Sequence, residues 1–314
     1  MKGLRIIPED TSINFIGFRF VAYVLSAILI IGSIFITAQR GLNFGIDFTG
    51  GTVIEIKTPI EPDLGEFRKA LNELDLGAIS IQEFGAADDL LIRLPQQGDD
   101  PEIQQMAIED VRQAIDDIYA DDGEVDYRRI EFVGPQVGEE LKQQGMLAVL
   151  FSMIGILAYV WFRFEWQFGV ASIVALLHDA IATIGLFALT QMEFNLSTVA
   201  AILMIAGYSI NDTVVVFDRI RENLRKFKKM PLPELFNMSV NQMLSRTLMT
   251  SVTTLLALIA LYVFGGEVIQ GFIYALIFGI IVGTYSSVFV ASPVLLLTNL
   301  KRSEVQTGGE AQEA

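Results

Sequence analysis

The sequence predicts a polytopic α-helical membrane protein with six transmembrane helices and one ferredoxin-like α+β domain inserted between the first and second spans. Three observations predict it. Six runs of mostly apolar residues, each with at least the roughly 20 residues that a helix needs to cross a bilayer, occupy 20–39, 143–162, 166–192, 194–217, 247–266 and 268–299, the last longer than one crossing needs. The 314 residues are 52% hydrophobic, more than an ordinary soluble domain carries. The acid is concentrated: residues 41–140 hold 7 Lys and Arg against 24 Asp and Glu, a net of −17, leaving 15 against 13 elsewhere.

The N-terminal segment, 1–19, carries Lys2, Arg5 and Arg19 ahead of the first span. That span is longer than a signal-peptide core and is followed by Ala38-Gln39-Arg40, which offers no small-residue cleavage site, so it reads as a retained anchor. Arg163 lies between the second and third spans, six basic residues fall between Arg219 and Lys229, and Lys301 and Arg302 follow the sixth span. The excess of cations in short loops marks the cytoplasmic side. Both termini and the 219–246 loop are therefore expected inside, with the acidic domain outside. The 303–314 tail is short and polar and is expected to be disordered.

Within 40–140 the hydrophobic periodicity gives strand 52–57, helix 61–74, strands 78–84 and 89–94, helix 100–119 and strand 125–133. The order β-α-β-β-α-β is that of the ferredoxin-like fold. Its acids occur as adjacent pairs, Asp88-Asp89, Asp99-Asp100, Asp116-Asp117 and Asp121-Asp122, without the loop spacing of a calcium site. They read as solvated surface. One histidine and no cysteine leave no zinc cluster, disulfide or thiol nucleophile, and neither a cofactor nor a nucleic-acid partner is expected.

The candidate functional residues are the ionisable ones inside the spans, because a charge in the hydrocarbon region is costly unless it is paired, protonated or hydrated. The fourth span is broken by Asp212, with Asn211 beside it, and the third by His178-Asp179. If the fourth helix leaves the membrane near Asp218, Asp212 lies about 9 Å inside at 1.5 Å per residue. Arg246, at the start of the fifth span, is long enough to snorkel toward the same depth. A cation favours a charged carboxylate and desolvation disfavours it, so a site where the two change with conformation can take up and release a proton. Thr247, Thr250, Ser251 and Thr254 share one helical face above Arg246. His178 and Asp179 are candidates either for helix-to-helix hydrogen bonding or for a relay. The basic run after Arg219 should favour anionic lipid headgroups, 233–245 reads as an interfacial helix, and Gly279 and Gly283 form a GxxxG pattern suited to a partner helix.

Four segments, GLNFGIDFTGG (41–51), EFVGPQVG (131–138), His178-Asp179 and GYSINDTVVVFDRIREN (207–223), resemble, together and in order, the signature segments of the SecF side of the SecD/SecF family of protein-export membrane subunits, within the resistance-nodulation-division superfamily. Gly45, Asp47, Gly50 and Gly51 read as a tight junction leading into the first strand, and Gly134-Pro135 as a hinge leading to the second span. The resemblance implies a bacterial inner-membrane protein whose acidic domain is periplasmic. It also implies a SecD-like partner, a SecYEG-type translocon and a translocating unfolded polypeptide. The proton motive force would be the energy source, with sodium as an alternative coupling ion. It assigns a proton relay to Asp212 and Arg246, with His178, Asp179 and Asn211 as further candidates. The rival readings are half of another proton-driven transporter of the superfamily, moving lipid or small molecules, and an intramembrane hydrolase. No serine-histidine pair or G-x-G-D pattern supports the hydrolase, and the chain is not expected to be an enzyme.

Overall fold

The computed structural model describes residues 12–298 and 300, apart from 78, 85, 99–100 and 267–268. The expectations for 1–11, for Asp99-Asp100, for the ends of the sixth span at Val268 and Asn299, and for Lys301, Arg302 and the 303–314 tail lie outside those residues. The chain divides into two compact units. One holds Ala148–Met192 with the described residues up to Asn43 and from Ser197 onward, and the other holds Phe44–Leu147 with Glu193–Leu196.

The second unit contains a four-stranded sheet. After the short helix α2 (Ile46–Thr49), the elements run β1 (Gly51–Lys57), α3 (Leu64–Asn72), β2 (Ser80–Phe84), β3 (Ala86–Leu94), α4 (Pro101–Ile118) and β4 (Asp126–Val133). The sheet order is β2-β3-β1-β4 with all neighbours antiparallel, the ferredoxin-like arrangement anticipated from the element order. Helix α3 starts three residues later than its periodicity suggests, because the Asp63 carboxylate caps it by accepting from the Gly65 amide at 2.7 Å. The core pairs Ile54 and Ile56 of β1 and Leu90, Ile92 and Leu94 of β3 with Phe67 and Leu71 of α3 and Val111 and Ile115 of α4. Gly51 is required where it stands: its φ is +114°, and a Cβ there would lie 2.5 Å from the Leu94 carbonyl oxygen.

The acidic surface is not uniformly solvated. Asp88 is half exposed and pairs with Lys57 at 3.2 Å, but its neighbour Asp89 is buried and held by Arg128 at 3.0 Å. Alternation along a strand turns adjacent residues to opposite faces, so one member of such a pair is drawn in.

Among the described residues, six helices are long and apolar enough to cross a membrane. They are α1 (Arg19–Arg40), α5 (Pro135–Arg163), α6 (Trp166–Thr190), α7 (Leu196–Lys226), α8 (Leu232–Phe264) and a sixth made of α9 (Gln270–Ser286), a π-helical turn (Ser287–Ala291) and α10 (Ser292–Leu297). Within the helical unit, α6, α7 and the sixth span are buried over about half of their length, whereas α1, α5 and α8 expose most of theirs, as helices facing lipid do. Phe164 and Phe168 stack at the core of the unit and Phe217 meets both edge-on, with ring centroids 5.1 to 6.2 Å apart.

Several boundaries differ from the sequence reading. Helix α5 begins at Pro135, eight residues before the apolar run, because proline suits the first helical position and nothing between it and Gln143 breaks the helix. The separate interfacial helix expected at 233–245 does not exist: Leu232–Phe264 is one helix of 33 residues, with neither glycine nor proline after Pro233 to interrupt it. Gly279 and Gly283 serve contacts inside the chain rather than a partner surface. A Cβ on Gly279 would fall 2.3 Å from the Ile205 side chain, and one on Gly283 would fall 3.2 Å from Ser209, so the pair lets α9 lie close against α7.

Candidate coupling site

The site is built where α6, α7, α8 and the sixth span meet. Asp212, on α7, is 6% exposed, and its two oxygens accept from two different helices. Thr247 Oγ1 of α8 donates to Oδ1 at 2.8 Å, and Ser287 Oγ of the π-helical turn donates to Oδ2 at 2.8 Å. Asp179, on α6, is 1% exposed. Its Oδ2 accepts from Ser209 of α7 at 2.5 Å and from Ser286 at 2.8 Å, and its Oδ1 lies 3.0 Å from His178 Nδ1. The two carboxylates are therefore served by consecutive serines of one backbone.

Neighbouring side chains on a helix diverge by about 100°, so two consecutive serines can face two different helices, and a π turn begins at the second of them. Here Ser286 reaches α6 and Ser287 reaches α7, and Ser292 Oγ closes the widened turn by donating to the Ser287 carbonyl oxygen at 3.1 Å. Single π turns inside longer helices recur at functional positions. The hydroxyl network continues outward: Ser251 and Thr284 share a hydrogen bond of 2.7 Å, and Tyr208 donates to Ser251 at 3.5 Å. His178 lies against the Tyr285 ring, with centroids 6.0 Å apart, and its Nε2 is buried without a partner among the described residues.

Of the residues singled out in the sequence, Asp212, Asp179 and His178 come together with Ser209 and Thr247. Two do not join them. Asn211 is exposed, because it sits 100° around α7 from Asp212. Arg246 is also exposed; it acts on Asp212 through space, but among the described residues it forms no ion pair with it. The reason is helical geometry: Thr247, one residue on, occupies the inward position. Thr250 and Thr254 return their hydroxyls to backbone carbonyls of their own helix. Ser286, Ser287 and Thr284 are the partners that sequence reasoning did not bring to the site. Their one visible signal was a cluster of hydroxyls inside an apolar run.

In the sheet unit, Asp47 lies in the first turn of α2 and its Oδ2 accepts from the Leu196 amide at 2.8 Å. Gly50 and Gly51 both have positive φ and join α2 to β1. Gly134 has open space around its Cα, between β4 and the proline that starts α5.

Comparison with known proteins fits this architecture. Residues 114–301 match the family "Protein export membrane protein SecD/SecF, C-terminal", and residues 35–58 match the "SecD/SecF GG Motif" family. The chain is 45% identical over 301 residues to the protein translocase subunit SecF of Rickettsia bellii, covering 96% of this chain and 98% of that protein. It is likewise 45% identical over 302 residues to SecF of Cereibacter sphaeroides, covering 95% and 93%. Among solved structures it resembles SecDF, a translocon-associated membrane protein from Thermus thermophilus, with a TM-score of 0.83 and 37% identity over 93% of this chain. A SecDF structure in a super-membrane-facing form matches with a TM-score of 0.68. The chain spans about two fifths of the length of each solved chain, 39% and 40%. With four helices converging on two buried carboxylates, and with near-full-length identity to curated subunits, the chain belongs to the SecD/SecF family of protein-export membrane proteins, on its SecF side.

Proposed function

We propose that this chain is the SecF-type subunit of a protein translocase accessory complex and uses the proton motive force to promote movement of unfolded polypeptide across the bacterial inner membrane. The observation that carries the proposal is Asp212, buried and held by hydroxyls from two other helices rather than by a cation. A charged carboxylate accepts at both oxygens, whereas a protonated one must turn one of them into a donor. Protonation of Asp212 therefore reverses one of the two bonds, with the Thr247 or Ser287 hydroxyl turning to accept, and so changes what holds α8 and the sixth span to α7.

The energy is adequate: one charge crossing the membrane potential is worth about 2.3 kcal/mol per 100 mV, enough to shift a two-state equilibrium roughly fifty-fold. Arg246, exposed one residue before Thr247, supplies a positive field at the site, and the His178-Asp179 pair extends the polar path into α6. The coupling ion is the proton and the chain needs no cofactor. The hydroxyl-rich network would also suit sodium, which replacing the proton gradient by a sodium gradient would distinguish.

The chain is expected to pair with a SecD-like subunit that supplies the complementary half of the membrane domain, and to act beside a SecYEG-type translocon. No catalytic role is proposed. The basic loops support a topology with both termini and the 219–246 region in the cytoplasm and 40–140 in the periplasm. Arg163, Arg221, Arg225 and Lys226 line one recess at the end of α7 together with Asp218 and Glu222, a setting whose excess of cations suits an anionic lipid headgroup. The decisive experiment is export into vesicles under an imposed proton gradient, with Asp212→Asn losing the gradient-dependent part while the complex still assembles.

A further inference from the structure

The glycine-rich segment takes no part in the carboxylate network, yet its residues grip the chain immediately before α7. The Gly45 amide donates to the Phe194 carbonyl oxygen at 3.0 Å, and Phe44 pairs with Phe194 in a parallel bridge. The rings of Phe44, Phe48 and Phe194 pack with centroids 5.9 to 6.1 Å apart. Arg93 of β3 binds the Glu193 carboxylate at 2.6 Å, with both side chains largely covered. Asp47 accepts from the amide of Leu196, the first residue of α7, at 2.8 Å. A carboxylate there satisfies one of the unpaired amides of the helix start and complements its positive end.

We propose that Gly45, Asp47, Arg93 and Glu193 form a clamp that positions the start of α7 and transmits movement of that helix to the sheet unit. This rests on the reading of Asp212 as the proton carrier. Helix α7 runs without a break from Leu196 to Asp212 and beyond, about 24 Å at 1.5 Å per residue. No proline interrupts it, so a shift of the helix at Asp212 is delivered at Leu196. A free loop at 193–196 would absorb that shift. A segment held by two backbone contacts, three packed rings, a covered ion pair and a carboxylate at the first amide does not. The role also explains why residue 45 is glycine: a Cβ there would lie 2.3 Å from Glu193 Oε1 and would displace the carboxylate that Arg93 binds. These are positioning residues, which act through α7 and touch neither polypeptide nor proton.

The test uses the assembled membrane complex in inverted vesicles and reads gradient-driven export beside proton leak and the amount of complex recovered. Arg93→Glu and Glu193→Arg should each lower gradient-driven export about tenfold, and the double exchange should restore at least half of it, with complex amounts unchanged throughout. Asp47→Ala should act like the single exchanges, whereas Asp47→Asn, which keeps an acceptor oxygen, should retain most of the activity. A second arm uses the absence of cysteine from the chain. In Phe44→Cys with Phe194→Cys, oxidation should leave export at the level of the same protein reduced, because the clamp stays closed through the cycle. The proposal is overturned if the single exchanges export at the wild-type rate, if the double exchange is no better than the singles, or if the oxidised pair loses the export that the reduced pair shows. Asp212→Asn, run in parallel, reports separately on the proton-carrier reading: wild-type export from it removes that reading, whatever the clamp variants do.

Discussion

Thr247 of α8 donates its hydroxyl to Asp212 of α7 at 2.8 Å, in the place where a cation would sit if the carboxylate were permanently neutralised. A hydroxyl stabilises a carboxylate but does not fix its charge, and that keeps Asp212 available for protonation. Thr247→Val removes the donor at nearly constant volume. Leaving a buried acceptor unsatisfied costs about 1–3 kcal/mol, so thermal stability in detergent should fall measurably and gradient-driven export should drop several-fold. Thr247→Ser should restore both. Equal behaviour of the valine and serine variants would assign Thr247 to packing.

Arg246 should behave differently from Thr247. Being exposed and unpaired with Asp212 among the described residues, it acts through its field alone. Arg246→Lys should therefore keep most of the export activity, and Arg246→Met should reduce it without lowering the stability of the complex. Full activity in Arg246→Met would show that the field is dispensable.

Gly279 is the contact point between α9 and α7. A leucine there has no room beside Ile205, and overpacking of this kind costs about 1–3 kcal/mol. Gly279→Leu should lower the yield of folded chain in detergent, and combining it with Ile205→Ala should recover part of that loss. Unchanged yield in the single variant would show that the two helices can separate without cost.

How much of this was legible beforehand follows from what each element depends on. The six spans, the sheet order and the burial of Asp212 rest on hydrophobic periodicity, which a single sequence carries. The continuity of α8 does not: the amphipathic pattern at 233–245 resembles an interfacial helix, and only the lack of a breaking residue joins it to the span. The pairing of Ser286 with Asp179 and of Ser287 with Asp212 was hidden, because which helices stand beside the two serines is set by packing between helices far apart in the chain. The outward placement of Arg246 was hidden for a related reason. Its reach was visible in the sequence, but the phase of α8 relative to α7, which turns Thr247 inward instead, is set by packing between helices. In the glycine-rich segment the turn at Gly50-Gly51 could be read from composition, while the reach of Asp47 to Leu196 spans 149 residues of chain.

Outside the membrane, the sheet unit offers a pH test. Burial raises the Tyr127 phenol above its ordinary value of 10, assisted by the hydrogen bond it donates to Asp116 at 2.9 Å. A group whose folded-state value is raised contributes stability that is complete below the unfolded value and is lost as pH rises through the folded one. Stability of this unit should therefore fall above about pH 10, and Tyr127→Phe should remove part of that fall. A phenol that titrates at its ordinary value by ultraviolet absorbance would contradict the burial. Asp88 is held below its ordinary value by the hydrogen bond from Lys57, but it lies at the surface, so Asp88→Asn should leave export unchanged.

The most direct test of the central claim is export driven by an imposed proton gradient in vesicles carrying Asp212→Asn, measured beside the amount of assembled complex. Asparagine keeps the size and the acceptor oxygen and removes only the titratable group. The account predicts normal insertion and partner binding with gradient-dependent export abolished, and partial activity for Asp212→Glu, which keeps an acid at nearly the same depth. Wild-type gradient-dependent export from Asp212→Asn would contradict it and would make Asp212 a packing residue.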